Sequence, residues 1–420
     1  MSTNFANAPA SPRLPLATAV LTAMAWVSGC ATPECATPKY DEPECRVIAE
    51  NEHARLQTST GVEVRFLPAG ARNLDPWDAT GLVTAGPNGT VNARVAGLGS
   101  FTLALHRRPD GPDTLTLRLS NVDANAVVTV GPNAAATQLD PPPPGQTWRT
   151  IEVPLSDEPT FVEGILPCPS TYRLAVVSDI QTNPDQFRRI VQALGEEWRS
   201  EAAASEPLVG LVIPGDITDA SRDEEFAQIH EILAGLPFPT AVTPGNHDIY
   251  RPDRPYFTRN FGPGNHEFTV CQTHVAMLDS GNGSLAASVR ARLPELLDAG
   301  EAQFSLVGVH HPPYAGWTGS GWSREDQAAH LLTKDAIAGV DLVLAGHSHS
   351  LVEFPDVPVG DTTIREIIAG TAGANQGLGT PRYGYVRLTF SDRIDACFVE
   401  VVPPGYDGTT DDPPRMGYCP

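Results

Sequence analysis

From Tyr172 onward the chain repeats one device: a short, nearly continuous apolar run closed by an acid, an amide or a histidine and followed by a turn residue. The runs read "RLAVVSD", "LVGLVIPGD", "PTAVTPGN", "THVAMLDS", "FSLVGVHH", "DLVLAGHSH" and "TIREIIAGT". Strands this apolar must be covered on both faces, as strands between other layers are. Helix-period stretches such as "DQFRRIVQALGEEWRSEAAA" and "SREDQAAHLLTKDAIAGV" lie between them and can supply that cover. The pattern predicts an α/β region, layered αββα, over residues 169–402, with a tail over 403–420.

Residues 46–168 have another texture. Alternating runs such as "VEVRFLP", "TVNARVAGL", "SFTLALHR", "DTLTLRLSN" and "WRTIEVPL" are separated by the turn signals "GPNG", "PDGPD" and "PPPPG", with no helical period of useful length. That spacing predicts an all-β sandwich, and so a two-domain chain. The preceding stretch "CATPECATPKYDEPEC" predicts an extended tether over residues 30–45.

Residues 1–29 read as an export signal. Arg13 is their only charge, and the apolar run "LPLATAVLTAMAWV" is shorter than the roughly 20 residues a spanning helix needs. The "VSGC" that follows resembles the bacterial lipobox, which implies cleavage before Cys30, a lipid on its thiol and a place in the cell envelope. Ala31, rather than Asp, fits outer-membrane sorting. Cys35, Cys45, Cys168, Cys271, Cys397 and Cys419 remain, an even set for up to three disulfides whose pairing the sequence leaves open. A formal charge of −22, from 50 acidic and 28 basic side chains, opposes non-specific binding to nucleic acid. A cleft holding cations would still attract an anionic substrate.

The polar residues that end the apolar runs carry the chemistry. Asp179 and Gln181 close the first strand, Asp216 the second, and Asn246 and His247 the third. His310 closes a later strand, and His347 with His349 another. Ligand-type residues at the carboxyl ends of strands are how α/β sheets build sites. Asp179, Asp216, Gln181, Asn246, His310, His347 and His349, two carboxylates, two amides and three imidazoles, suit Mn, Fe or Zn better than Ca, which favours an all-oxygen shell.

In chain order these residues resemble the calcineurin-like metallophosphoesterase superfamily, whose motifs are D-x-H, G-D-x-x-D, G-N-H-D/E, H-x-P and G-H-x-H. The resemblance covers roughly Arg173 to Glu400. It implies two divalent ions, one held by Asp179, Gln181, Asp216 and His349, the other by Asp216, Asn246, His310 and His347, with Asp216 bridging. It further implies that His247 stabilises the phosphoryl group or protonates the leaving oxygen, with Asp248 orienting it. The implied reaction is in-line attack on a small-molecule phosphate mono- or diester by a metal-bridging hydroxide, between ions about 3.5–4 Å apart. Gln181 departs from the family histidine, which weakens the first site for Zn or Fe and shifts it towards Mn. Asp219 stands where a purple acid phosphatase has tyrosine, which argues against a ferric phenolate centre. The competing reading is a non-enzymatic envelope or surface-binding lipoprotein that keeps the scaffold, with Gln181 a mark of lost metal.

Single residues carry less. His311 could replace His310 as ligand, but the H-x-P frame favours His310 and leaves His311 lining the cleft. Tyr314, Trp317 and Trp322 would form a substrate wall or pack their own loop. Arg251 and Arg254 are candidates to meet phosphate. "PGNHE" over 263–267 repeats "PGNHD" over 244–248, but the order of the neighbouring motifs makes the second copy a turn, with His266 and Glu267 exposed or packed.

Overall fold

In the computed structural model, residues 35, 39–72, 79–132, 136–200, 205–313, 339–359, 362–375, 383–405 and 416–419 are described. The export signal, Cys30, half of the tether, most of the tail, the segment 323–338, and Tyr314, Trp317 and Trp322 lie outside them. No helix among the described residues is long and apolar enough to cross a membrane.

Helix α1 (Pro43–His53) leads into β1 (Arg55–Gln57), β2 (Val62–Leu67), β3 (Gly81–Ala85), β4 (Val91–Val95), β5 (Phe101–Arg107), β6 (Thr114–Ser120), β7 (Val127–Gly131), β8 (Thr137–Gln138), β9 (Trp148–Pro154) and β10 (Thr160–Ile165). These strands form two sheets, ordered β1-β2-β5-β10-β7-β8 and β3-β4-β6-β9. In β9, "WRTIEVP", burial alternates strictly, so Ile151 and Val153 join Leu103, Leu117 and Val162 in a core shared by the two sheets.

Helix α1 corrects the sequence reading, which found no useful helical period from residue 46 and ended the tether at 45. The helix takes in the last residues of that tether, and a disulfide joins Cys45 to Cys35. Its buried face includes Arg46 and Glu50, so an apolar period could not reveal it. Arg46 Nε and Nη2 donate to Asp279 Oδ2 and Oδ1 at 2.5 and 3.0 Å, and Glu50 Oε1 accepts from Gly264 N at 2.8 Å.

The chain continues as β11 (Tyr172–Val176), α2 (Pro184–Arg199), β12 (Leu208–Pro214), α3 (Asp223–Leu233), β13 (Thr240–Thr243), α4 (Tyr256–Phe261), β14 (His266–Val270) and β15 (Thr273–Leu278). Then follow α5 (Ala287–Ala291), α6 (Leu293–Leu296), β16 (Phe304–Val309), β17 (Leu342–Ala345), β18 (Leu351–Val359), β19 (Thr362–Ala369), β20 (Gly384–Phe390) and β21 (Ile394–Glu400). One sheet runs β13-β12-β11-β20-β21 and the other β14-β15-β16-β17-β19-β18. The pairs β11/β12, β12/β13, β15/β16, β16/β17 and β17/β19 are parallel.

Leu174, Val176 and Val212 of the first sheet meet Val275, Leu306 and Leu344 of the second in one core. In α2, Asn183 caps the helix and Pro184 starts it. Phe187, Ile190, Val191 and Leu194 then fall on one face, buried with Ala175, Leu211 and Ile213. Val47, Leu285, Val289 and Leu293 share a cluster with Ala276, Val307 and Val343 of the second sheet.

Residues 35–420 cluster as one unit, and the N-terminal sheets close the open edges of the later ones. Asn121, at a φ of 63°, trades two 2.8 Å hydrogen bonds with the main chain of Thr240 on edge strand β13. Ser100 N donates to Thr269 O on edge strand β14 at 3.2 Å. Leu98 enters the core between the later sheets and packs on Gly210. A disulfide joins Cys168 to Cys271, between β14 and β15, and a third joins Cys397 to Cys419.

Candidate metal centre

The turns after β11, β12, β13, β16 and β17 deliver the polar residues singled out in the sequence. Their backbones are unusual: φ is 61° at Asp179, 35° at Gln181, 54° at Asp216, 68° at His347 and 47° at His349. Residues with side chains rarely take such angles, and they persist where the surroundings over-determine them, above all at functional sites. Gly245 and Gly346 explain the tightness. A Cβ at Gly245 would lie 2.1 Å from Asp216 Oδ1, and one at Gly346 2.6 Å from Asp179 Oδ2.

The side chains converge. His310 Nε2 lies 3.2 Å from Asn246 Oδ1 and 3.3 Å from Asp216 Oδ2, and His347 Nδ1 lies 3.0 Å from Asn246 Oδ1. His349 Nε2 is 3.6 Å from Asp179 Oδ1. Ligand atoms of Asp179, Asp216 and His310 fall within 4.8 Å of one another. Asp216 therefore lies within ligand reach of both Asp179 and His310, and His310 and His347 both meet Asn246 Oδ1. Gln181 Nε2 donates to Asp216 Oδ2; turning its amide over would present an oxygen instead.

Main-chain groups orient these side chains from behind. His310 Nδ1 bonds Pro214 O and His349 Nδ1 bonds Asn375 O, each at 2.9 Å. The Asp179 carboxylate accepts from His347 N at 2.9 and 3.0 Å. This is the outer support that fixes imidazole orientation at metal sites.

Charge is concentrated in a dry place. Burial pushes Asp179 up to about 6, with Asp216 adding to the rise and the charges of His310 and His349 opposing it. Burial also acts to raise Asp216, but the charge and hydrogen bond of His310 and contacts from His247 hold it well below the ordinary carboxylate value. Burial disfavours charge on His310, yet Asp216 and Asp179 lift it to about 9. Burial and the His310 charge press His347 down to about 4 and His311 to about 2. A proton on His310 thus balances buried carboxylates, and a divalent cation balances them more fully. Buried carboxylates, an amide oxygen and imidazoles facing one point fit such an ion.

His247 stands at the rim with Nδ1 on Asp219 O at 2.7 Å, which leaves Nε2 towards the cleft. This corrects the role expected of Asp248. Its buried carboxylate accepts from Ile217 N, Thr218 N, Thr218 Oγ1 and Gly245 N, which clasps the turns after β12 and β13 together. The acid that orients His247 is Asp219, the last residue of the G-D-x-x-D motif, acting through its carbonyl rather than its side chain.

His311 is buried, with N–H on Ser280 Oγ at 3.0 Å and its ring 4.2 Å from that of His347. Arg251 is engaged by Asp253 and lies over Tyr256. Arg254 gives its carbonyl to Tyr256 N. The sequence reading missed Tyr250, whose hydroxyl lies 3.2 Å from His247 Nε2; its place two residues past the Asn-His-Asp triplet was the available signal.

The second copy is resolved by register. The turn ends at Asn265, and His266 is not in it but opens β14, buried, with burial first and Arg94 second lowering it to about 3. A cavity of about 510 Å3 runs beside it, lined by His266, Phe268, Cys271, His274 and Arg292 among others, and none of the converging ligands reaches it.

The sequence model of calcineurin-like phosphoesterases matches residues 172–351. No curated protein matches the chain. Among solved structures it is similar to a purple acid phosphatase from yellow lupin (Lupinus luteus) seeds, at 12% identity over 81% of this chain and 89% of that one, with a TM-score of 0.43. It is also similar to PhoD, at 12% identity over 74% and 91% with a TM-score of 0.43. A dimetal phosphatase from Danio rerio gives 12% identity over 54% and 95% with a TM-score of 0.42. Residues 172–351 therefore carry a calcineurin-like metallophosphoesterase domain, of a family that implies divalent metal ions.

Proposed function

We propose that the protein is a phosphoester hydrolase working with two divalent ions, from Mn, Fe and Zn, on a small-molecule phosphate mono- or diester. The observation that carries this is the convergence of Asp179, Asp216, Asn246, His310, His347 and His349 on one place. When bound, the ions would supply Lewis-acid activation of the phosphoryl group and of the attacking water. The chain's own part is to hold the ligands rigidly, with Gln181 completing the first set, and to manage a proton. Asp219 O fixes Nδ1–H of His247, so Nε2 is the nitrogen that first takes up a proton and then, as the imidazolium, gives it to the leaving oxygen. Asp248 keeps that turn in place.

In this reading residues 46–168 are a β-sandwich domain and residues 169–402 an αββα catalytic domain, supported by the shared cores of the two sheet pairs. Lipid on Cys30 holds the protein in the cell envelope, on the outer membrane. Labelled fatty acid should enter the full-length chain in a bacterial host and fail to enter Cys30→Ala.

The deciding experiment pairs metal content with a panel of mono-, di- and pyrophosphoesters. Two ions per chain and turnover of a mono- or diester, both lost in Asp216→Ala, are expected. A folded, metal-free and inactive protein would instead favour a surface-binding lipoprotein, the reading to which the Gln181 amide on Asp216 lends weight.

A further inference from the structure

Tyr250 is a large aromatic residue left 54% exposed, and its side chain holds up no core. Its backbone is nonetheless fixed: Tyr250 N donates to Ser221 Oγ at 2.9 Å, and Ser221 Oγ donates to His247 O at 2.7 Å. The side chain turns back onto Asn246 and His247. Asn246 Nδ2 donates to its hydroxyl at 3.1 Å, and the hydroxyl lies 3.2 Å from His247 Nε2, with the two rings 4.6 Å apart and inclined at 50°.

These contacts fix the sense of the last hydrogen bond. Asp219 O can only accept, so Nδ1 of His247 carries the hydrogen, Nε2 of the neutral ring accepts, and the Tyr250 O–H donates to it. The phenol oxygen therefore sits where an oxygen must sit to exchange a proton with Nε2. For a hydrolase that oxygen belongs to the leaving group. A substrate that places its leaving oxygen there displaces the phenol hydroxyl, while the anchored backbone keeps the ring alongside. An exposed aromatic ring favours planar groups, which it meets by offset stacking or edge contact.

We propose that Tyr250 contacts the leaving group of the substrate and selects an aryl or similarly planar one. The inference rests on the hydrolase reading and deepens it.

Calorimetry of phenylphosphonate and methylphosphonate binding to the metal-loaded full chain tests it without turnover. The wild type should bind phenylphosphonate about three- to tenfold more tightly than methylphosphonate. Tyr250→Phe should keep that preference, and Tyr250→Ala should lose it with an unchanged melting temperature, as the exposed position predicts. Equal binding of the two ligands by the wild type, binding of neither, or a preference that survives in Tyr250→Ala overturns the inference. A Tyr250-dependent preference in a protein that hydrolyses no phosphoester keeps the aryl contact of Tyr250 but sinks the hydrolase reading, and the leaving-group assignment with it. Hydrolysis without the preference does the reverse.

Discussion

Gln181 and the two Asn-His-acid triplets are where single side chains decide most. Gln181 offers an amide where an imidazole would bind Zn more firmly, so Gln181→His should tighten Zn binding roughly tenfold, measured by calorimetry on apo protein. Unchanged affinity would mean that Gln181 is no ligand. His247 and His266 share a local sequence but not a neighbourhood: one faces the cleft with Nδ1 tied to Asp219 O, the other is buried at the start of β14. His247→Ala should lower kcat on the order of 10²–10⁴-fold, whereas His266→Ala should change it only a few-fold in the folded fraction. Equal losses would overturn the assignment. The candidate ligand residues were legible because each closes an apolar run. Asp219 and Tyr250 were not, since a backbone carbonyl and a residue past the motif act only through the turn that brings them to His247.

Helix α1 shows what periodicity misses. Its Arg46 pairs with Asp279, both nearly inaccessible, and Asp279 Oδ1 also accepts from Gly281 N, beside Ser280 and the backbone of His311. Glu50 holds Gly264, whose carbonyl accepts from Thr243 Oγ1 at the end of β13. The helix thus braces two turns that flank the site. Arg46→Ala would strand the Asp279 charge and should cost about 3–5 kcal/mol in chemical denaturation. Burial, reinforced by Asp279, raises Glu50 from 4.5 to about 8, so the folded state keeps a proton that the unfolded chain releases. That stabilisation is complete below pH 4.5 and drains away as pH rises towards 8. Glu50→Gln should therefore flatten the fall in melting temperature between these limits relative to wild type. Parallel curves would show that Glu50 is ionised in the fold.

At the scale of the molecule, the N-terminal sheets serve as edge covers. Asn121 and Ser100 satisfy main-chain groups of β13 and β14, strands that would otherwise end their sheets exposed, and Leu98 fills the core between those sheets. Deleting residues 46–168 should yield a fragment that associates or aggregates in light scattering, and a monodisperse, equally stable fragment would refute that dependence. The Cys168–Cys271 bond closes a separation of 103 residues across the same junction. Its removal in a double serine variant should lower stability by roughly 2–4 kcal/mol.

The sequence by itself determined the two textures of the chain, the strands that run apolar on both faces, and the residues that end them. Those features are local: periodicity, turn chemistry and the order of ligand types along the chain. Tertiary structure alone decided the cysteine pairing, the brace formed by α1, the clasp made by Asp248, the carbonyl that holds His247 and the phenol set against it. Most of these depend on groups distant in sequence meeting in one place, and the phenol on the fold of the turn that carries both Tyr250 and His247. Buried polar partners such as Arg46 with Asp279 leave no repeat to read, because their spacing is set by the packed sheets and not by any single strand or helix.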